Sequence, residues 1–385
     1  MIGSENKGYA NRAQSQVGHI FSGRRLDLER CKQVKQSLSI VEIAELAGVS
    51  PTTVSRVFRG NAYVKAETKD MVLAIARDHG FQPRQYTKRI TLLKHNAAVA
   101  IIVPDIENPF FQQIIRAIIE VFDQHGIELM ICDTNETPNK EIRHLNLLHQ
   151  LNVDGIIITP TSENAEYNGA FLKELYDKGL PIVVLDRDVK GIGLSGIFQN
   201  SYDAAFSAVD TLVANGHRHI AIIGGPITSK PGLDRTVGYM DALKSHGITV
   251  QQEYIFYGDF KAESGYALTQ RLLKDHHEVT AIFAANNLMS IGSLQAIKEA
   301  GLNIPEDIAF ISYGSLRPFE TGRTGDMTEI TEPTELMGYE CAQLLLEKMA
   351  TGKRKDLRAV KRVSFDAHIT LRGSEKFPAN RPREM

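Results

Sequence analysis

Short apolar runs alternate with longer amphipathic segments from Ala97 to about Ala350, and this alternation restricts the possible folds more than any other feature of the chain. Predicted strands and helices form a first series over residues 99–185, which we expect to close with a strand at 181–185. A second series covers residues 220–350 and includes the last helix, at 333–350. Repeated β–α units with apolar strands form parallel sheets covered by helices. We therefore expect an α/β architecture of two doubly wound parallel-sheet lobes, with a cleft at the carboxyl ends of their strands.

Residues 39–61 predict a smaller, all-α unit of two short helices joined by a tight turn. Ile40, Ile43, Ala44 and Leu46 recur at helical spacing and are expected to share one buried stripe. Gly48 provides the backbone freedom that a sharp turn requires. A third helix is expected at 66–79. The pattern is typical of a helix-turn-helix, although a small αα-hairpin without a ligand would have the same spacing.

The second helix of this unit is expected to present a polar face. Ser50 stands at the N-cap and Pro51 at the first helical position, while Val54, Val57 and Phe58 point inward. Short hydroxyls and arginines on an exposed helix can contact base edges and phosphates in a major groove. The residues predicted to bind DNA are Ser50, Pro51, Thr52, Thr53, Ser55, Arg56, Arg59 and Asn61, together with Arg84, Thr87 and Ile90 in the following linker.

The distribution of charge supports a nucleic-acid partner for the amino-terminal part only. Residues 1–96 contain 16 Lys and Arg but 8 Asp and Glu, whereas residues 97–385 contain 28 and 38. Positive charge releases counterions from DNA and supplies most of the non-specific affinity. The predicted segments are a mobile basic arm (1–38), a helix-turn-helix domain (39–82), a hinge (83–96), a two-lobed effector-binding and dimerisation domain (97–374) and a C-terminal tail (375–385). The arm is either an auxiliary DNA contact or an uninvolved tail.

Cysteine content and hydropathy indicate the compartment. Three scattered cysteines give no disulfide framework, and Cys132 lies in an apolar run where a buried thiol is expected. The first 30 residues lack the apolar core of a signal peptide, and no apolar run approaches the roughly 20 residues that cross a bilayer. We expect a cytoplasmic, nucleoid-associated protein with no membrane partner.

Nine short motifs together resemble the lactose/galactose repressor (LacI/GalR) family of transcriptional regulators. They are Ala47-Gly-Val-Ser, Thr53-Val-Ser-Arg-Val, Val103-Pro-Asp-Ile-Glu-Asn-Pro-Phe-Phe, Leu185-Asp-Arg, Gly216-His, Ile223-Gly-Gly-Pro, Arg235-Thr-Val-Gly, Ala285-Asn and Leu371-Arg-Gly-Ser. The resemblance implies lobes like those of periplasmic sugar-binding proteins and a small-molecule effector in the cleft. It also implies a homodimer or tetramer on a double-stranded DNA operator, with a hinge helix in the minor groove.

The chain departs from the family pattern at three places. Arg59 replaces an Asn of the recognition helix, and Ile90 replaces the hinge Leu that enters the minor groove, with Thr87 replacing a small residue nearby. Tyr313-Gly314-Ser315 replaces the aromatic-Asp-Asp end of the last cleft strand, so a carboxylate that grips ligand is absent. These changes predict altered DNA contacts and an altered effector.

Eight residues are expected to bind the effector, and several have a second interpretation. They are Asn108, Phe110, Phe111, Asp186, Arg187, Arg235, Phe260 and Asn286. The aromatic side chains can stack on a sugar ring or pack in the core. Arg187 can grip a ligand or pair internally with Asp186 or a glutamate, and Asn286 can bind ligand or cap a helix.

The missing carboxylate at Gly314 leaves Arg187, Arg235 and Lys261 unopposed in the predicted cleft, which favours an anionic effector such as a sugar phosphate or sugar acid. The alternative is a neutral sugar held by Asp186 or Asp105.

The sequence thus predicts an effector-controlled transcriptional regulator, a repressor of carbohydrate genes, rather than an enzyme. The alternatives are a sugar-binding receptor, or a sugar-metabolising enzyme fused to a DNA-binding head. No nucleophile–base pair or phosphate loop is evident, and no cofactor is expected. Gly191-Ile-Gly193-Leu-Ser-Gly196 matches a dinucleotide-binding pattern but is interpreted, with residues 197–200, as a loop between lobes. His217 and His219 are too few for a predicted metal site.

Overall fold

The computed structural model describes residues 40–50, 53, 54, 57, 64–78, 97–162, 168–316, 326–351 and 359–380. The chain separates into two compact units, Met1–Arg89 and Ile90–Met385. The predicted arm, the predicted hinge and most of the predicted DNA-contacting residues lie outside the described residues. Within the described part of the chain, none of the helices combines the length and the apolar character needed to cross a membrane.

The amino-terminal unit contains helix α1 (Ile40–Ala47) and helix α2 (Ala66–Asp78), with Thr53, Val54 and Val57 also helical. Its core consists of Ile43, Ala44, Ala47, Val54, Val57, Val72 and Ala76. Gly48 has φ +62°, as the predicted turn requires. The expected stripe was wrong at Leu46, which is exposed, and Met71 and Ala74 of α2 are exposed as well. The buried stripe of α1 is therefore narrower than its apolar pattern.

The larger unit begins with a six-stranded sheet whose strand order is β11-β5-β4-β3-β1-β2, and every pairing in it is parallel. Alternate residues of its strands face two different apolar layers, so that Ile101 packs with one layer and Ile102 with the other. The strands are β1 (Ala97–Val103), β2 (Ile127–Asp133), β3 (Gly155–Ile158), β4 (Ile182–Leu185), β5 (Ser195–Gln199) and β11 (Arg362–Phe365). We call this sheet and its helices the N-lobe.

A second six-stranded sheet has the order β12-β10-β9-β8-β6-β7, with only β12 antiparallel to its neighbour. Its strands are β6 (Ile220–Gly224), β7 (Ile255–Tyr257), β8 (Ala281–Ala284), β9 (Ala309–Tyr313), β10 (Thr328–Thr331) and β12 (His368–Thr370). We call this sheet and its helices the C-lobe. The two sheets confirm the predicted pair of doubly wound lobes.

Helices cover both sheets. Those of the N-lobe are α3 (Pro109–Asp123), α4 (Pro138–Gln150), α5 (Gly169–Asp177) and α10 (Thr334–Thr351). Those of the C-lobe are α6 (Ser201–Ala214), α7 (Lys230–Ser245), α8 (Ala262–Asp275) and α9 (Asn287–Glu299). Helix α3 begins where the sequence requires, because the Asn108 side chain accepts the Phe110 amide and Pro109 takes the first helical position.

Two predictions about the lobes were wrong. Residues 195–199, expected in a loop, form β5, so the first lobe does not close at residue 185. Helix α10, expected in the second series, packs against α3 and β3–β5 of the N-lobe. Gly338 allows this packing, because a Cβ there would lie 2.5 Å from the Ile114 carbonyl oxygen. The chain therefore passes between the lobes three times, after β5, after β10 and after β11.

A further correction concerns Cys132, which was expected to be buried. Cys132 lies on β2, an edge strand, and is only partly buried, although burial still raises the pKa of its thiol. Cys341 of α10 is the fully buried one.

Candidate functional site

A cleft of about 530 Å³, including its open mouth, lies between the carboxyl ends of the strands of the two lobes. The structure brings all eight residues predicted to bind the effector to its lining: Asn108, Phe110, Phe111, Asp186, Arg187, Arg235, Phe260 and Asn286. Nine further residues line it: Asp105, Glu136, Pro231, Asp259, Lys261, Asn287, Tyr313, Gly314 and Glu332. The proximity of the eight is a finding, whereas their binding of an effector stays a prediction.

The aromatic wall of the N-lobe serves two purposes. Phe110 and Phe111 lie edge to face with centroids 5.0 Å apart. They are only 8% and 4% exposed and belong to the apolar core, yet both line the cleft. The two interpretations considered from the sequence, core packing and cleft lining, therefore both hold for these rings, because α3 begins at the cleft and continues into the core.

Arg187 is paired within the protein. Its Nη1 and Nη2 donate to Glu136 Oε2 and Oε1 at 2.8 and 2.6 Å. The side chain of Arg187 is 5% exposed and that of Glu136 is 27% exposed. Of the internal partners considered from the sequence, a glutamate is present. The glutamate itself, 51 residues away in the sequence, was not identified there.

Asp186 sits in a strained three-residue turn at the end of β4. The Arg187 amide donates to the Leu185 carbonyl oxygen at 2.6 Å, and Asp186 between them has φ +63°. This geometry is rare for residues other than glycine and is often found at functional sites. Burial raises the pKa of the Asp186 carboxyl, against the opposing charges of Arg187 and Arg235. Its Oδ1 is buried and accepts no hydrogen bond from the residues that the structure describes.

Arg235 is clamped between an aromatic ring and a carboxylate of the C-lobe. Its guanidinium carbon lies 3.6 Å from the centroid of Tyr313, and Nη1 donates to the Ala285 carbonyl oxygen at 2.7 Å. Nη2 lies 3.7 Å from Oε1 of Glu332, and both side chains are 7% exposed. Burial raises the pKa of Glu332 to about 7, despite the opposing charge of Arg235. Glu332 is therefore partly protonated near neutral pH.

The C-lobe wall is held in place by its backbone. Phe260 has φ +69°, and its ring fills the space beside Gly225, where a Cβ would lie 2.1 Å from it. The Asn286 side chain accepts the Met289 amide at 2.8 Å and donates to the Phe260 carbonyl oxygen at 2.9 Å. Asn286 is thus the N-cap of α9, the alternative considered from the sequence, and it also fixes Phe260 at the cleft.

Gly314 occupies a conformation that disfavours any carboxylate. Its φ is +91°, and a Cβ would lie 3.2 Å from the Cβ of Asn287. The backbone conformation at residue 314 therefore suits the glycine that stands where the family has a carboxylate residue.

Lys261 joins the two lobes across the cleft. Its ammonium group donates to Asp105 Oδ2 at 2.7 Å and to Asn135 Oδ1 at 3.0 Å, both in the N-lobe. Each of the three cations in the cleft therefore has a carboxylate neighbour. The expectation of an unopposed cationic cleft was wrong, because Glu136 follows β2 in one lobe, Glu332 follows β10 in the other, and both line the cleft.

Glu136, Glu332 and Tyr313 lie against the two cleft arginines, and none of the three was among the residues predicted to bind the effector. All three lie at or just beyond the carboxyl end of a strand, where parallel sheets bind ligands. That position was the available signal for Glu332, since it follows the strand Thr328–Thr331 directly.

His217 has a structural role. It is fully buried, with Nδ1 2.8 Å from Thr280 Oγ1 and Nε2 3.2 Å from the Glu375 carbonyl oxygen. Within the described part of the chain, no group of three or more His, Cys, Asp or Glu is placed to hold a metal ion.

In the amino-terminal unit, Ser50 caps the helix that contains Thr53. The Ser50 hydroxyl accepts the Thr53 amide at 3.1 Å and lies 2.9 Å from the Thr53 hydroxyl. The other predicted DNA contacts lie outside the described residues: Pro51, Thr52, Ser55, Arg56, Arg59, Asn61, Arg84, Thr87 and Ile90.

Comparisons with known proteins identify both units. The model of bacterial regulatory proteins of the lacI family matches residues 39–84. The model of periplasmic binding proteins and the sugar binding domain of the LacI family matches residues 96–368. The chain is 31% identical over 335 residues to the HTH-type transcriptional repressor PurR of Pectobacterium carotovorum subsp. carotovorum (strain PC1), which covers 86% of this chain and 95% of that protein.

Two solved structures share the fold. A transcriptional regulator CelR–cellobiose complex has a TM-score of 0.61 at 26% identity, over 88% of this chain and 99% of that one. A LacI family transcriptional regulator from Enterococcus faecium, with bound ribose, has a TM-score of 0.62 at 25% identity, over 73% and 99%. The chain therefore belongs to the LacI family, and it is a DNA-binding transcriptional repressor with a ligand-binding domain.

Proposed function

We propose that this repressor is controlled by a neutral, hydroxyl-rich effector, a carbohydrate, bound in the cleft between its lobes. The observation that carries the proposal is the charge balance of the cleft. Arg187 pairs with Glu136, Arg235 faces Glu332, and Lys261 pairs with Asp105. A ligand phosphate or carboxylate would have to displace Glu136 from Arg187 or Asp105 from Lys261, and it would compete with Glu332 for Arg235.

The cleft also offers what a sugar needs. Five residues with carboxyl groups line it: Asp105, Glu136, Asp186, Asp259 and Glu332. Carboxylates accept hydrogen bonds from hydroxyl groups, and Oδ1 of Asp186 accepts none from the described residues. The rings of Phe110 and Phe260 can pack on the C–H faces of a sugar. The excess of acceptors favours a ligand that donates hydrogen bonds.

Two relatives of known structure support a carbohydrate effector, and another group of relatives suggests a different class of effector. The CelR structure holds cellobiose and the Enterococcus faecium regulator holds ribose. The curated relatives named PurR make a purine the competing class.

We infer that the effector acts by binding one arrangement of the lobes more tightly than another. The difference in affinity is the free energy available to change operator binding, typically 1–3 kcal/mol. The Lys261–Asp105 pair crosses between the lobes, so it belongs to the contacts that such a change would alter. The proposal includes no catalytic turnover, and it assigns the repressor to the cytoplasm, where its DNA operator would lie.

We also propose a homodimer, the form in which LacI-family regulators work. The edge strand β2 exposes Ile131, and the adjoining α4 segment exposes Leu147 and Leu151. His144 of α4 lies 3.1 Å from the Asp133 carbonyl oxygen, so this helix face adjoins the edge strand. A second subunit would cover these apolar side chains.

Thermal-shift screening followed by isothermal calorimetry tests the effector class. The panel is ribose, glucose and cellobiose, with ribose 5-phosphate, glucose 6-phosphate and gluconate as anionic counterparts and hypoxanthine as the purine. We expect binding of at least one neutral sugar and weaker binding of its anionic counterparts. Binding of only anionic ligands, or of only hypoxanthine, would overturn the proposal.

A further inference from the structure

The Glu136 carboxylate already occupies the part of Arg187 that best recognises anions. Both terminal nitrogens of Arg187 donate to Glu136, at 2.8 and 2.6 Å, in the two-pronged geometry that guanidinium groups form with carboxylates and phosphates. Because Arg187 is almost completely buried, few alternative directions are left for a ligand oxygen to approach it. An anionic ligand and Glu136 therefore compete for the same two donors.

The backbone holds Glu136 in this place. Asn135 and Glu136 have φ of +46° and +54°, two consecutive left-handed residues, neither of which is glycine. Such conformations are unfavourable for side-chain-bearing residues and persist where surrounding contacts fix them. The Glu136 amide donates to the Pro104 carbonyl oxygen at 2.9 Å, and the Thr137 amide donates to that of Thr134 at 3.0 Å. The turn is thus built to aim the Glu136 carboxylate at Arg187.

Arg187 is close enough to the cleft for this competition to matter. It lines the cleft, and its guanidinium carbon lies 5.9 Å from the centroid of Phe260 on the opposite lobe. A group bound to Arg187 in place of Glu136 would therefore lie in the effector cleft.

We propose that Glu136 determines the charge class of the effector, by filling the anion-binding fork of Arg187 and so excluding phosphates and carboxylates. The inference rests on the proposed neutral effector and assigns its selectivity to one residue. With Glu136 present, the cleft offers carboxylate oxygens to hydroxyl groups. Without it, the same Arg187 becomes an anion site.

The test compares Glu136→Ala with Glu107→Ala, which removes an exposed acidic side chain from the loop after β1 near the cleft. The probes are inorganic phosphate, glucose and glucose 6-phosphate, with binding measured by calorimetry. We expect Glu136→Ala to bind phosphate at least about tenfold more tightly than the unmodified protein. Glu107→Ala should match the unmodified protein, and the gain should vanish in the double variant Glu136→Ala/Arg187→Ala.

A merely structural role for Glu136 predicts destabilisation without a gain of anion binding. Glu136→Gln keeps the shape of the side chain and serves if the alanine variant does not fold. We expect it to gain phosphate binding too, by a smaller factor. A folded Glu136 variant that gains none, or an equal gain in Glu107→Ala, would overturn the inference.

Failure of the proposed function gives a different result. If the unmodified protein prefers glucose 6-phosphate or other anions to their neutral counterparts, the neutral effector class is wrong and the exclusion by Glu136 is wrong with it. If neutral sugars bind and Glu136→Ala gains no anion, only the role of Glu136 is refuted.

Discussion

We expect the stability of the variant Glu332→Gln, relative to that of the unmodified protein, to increase as the pH rises. Burial raises the pKa of Glu332 from its ordinary 4.5 to about 7. Between these two values the folded protein keeps a proton that the unfolded chain has released, so folding becomes less favourable with increasing pH. Glutamine occupies the same space and does not titrate, so its variant escapes this loss.

The size of the effect follows from the two pKa values. With 4.5 in the unfolded chain and about 7 in the folded one, the linkage relation gives a loss of about 1.3 kcal/mol between pH 6 and pH 8. For a domain of this size, 1 kcal/mol corresponds to roughly 2–4 °C in Tm. The Tm of Glu332→Gln minus that of the unmodified protein should therefore grow by about 3–5 °C over this range.

Thermal unfolding in buffers of equal ionic strength measures this difference. Glu263→Gln is the matched control, because Glu263 is an exposed glutamate on α8 of the same lobe. Its Tm difference from the unmodified protein should stay constant with pH. A constant difference for Glu332→Gln, or one that shrinks between pH 6 and pH 8, would refute the reasoning.

Three further predictions concern the amino-terminal unit, the cleft and the dimer. Arg56→Ala should weaken binding to an identified operator by about 1–3 kcal/mol in fluorescence anisotropy, and unchanged affinity would place the recognition surface elsewhere. Gly314→Ala should lower the free energy of unfolding by about 1–3 kcal/mol, since φ is +91° and the new Cβ would crowd Asn287; an unchanged denaturation midpoint contradicts it. Ile131→Asp should shift the protein from dimer to monomer in light scattering, because it puts a charge on the exposed edge strand, and an unaltered mass would locate the interface elsewhere.

The sequence predicted those features that depend on local pattern. The strand at residues 281–284 was predicted at its observed bounds because an apolar run, Ala281–Ala285, stands between Thr280 and the polar pair Asn286-Asn287. The cleft-lining positions of Arg187 and Asn286 followed from a general rule, since both lie just beyond a buried strand. Such features need only neighbours in the sequence.

Features that depend on distant partners were missed. Ser195–Gln199 begins with Ser-Gly, which is typical of a turn, and only its pairing between β4 and β11 makes it a strand. The apolar face of α10 is compatible with either sheet, and its place on the N-lobe is set by contacts with α3. The Glu136–Arg187 pair could not be predicted either, because it depends on where β2 and β4 end in space.

The three passages of the chain between the lobes have a consequence for synthesis on the ribosome. Strand β5 ends at Gln199, whereas α10 begins at Thr334 and β11 ends at Phe365, so the N-lobe is completed only when nearly all of the chain exists. At about 5–20 residues per second, the interval from Gln199 to Phe365 lasts roughly 10–30 s. During that time the sheet face that contains Ile101 and Ile157 lacks its α10 cover. The nascent repressor therefore carries an apolar surface that chaperones can bind, and neither lobe can finish folding before the last strands, β11 and β12, have been synthesised.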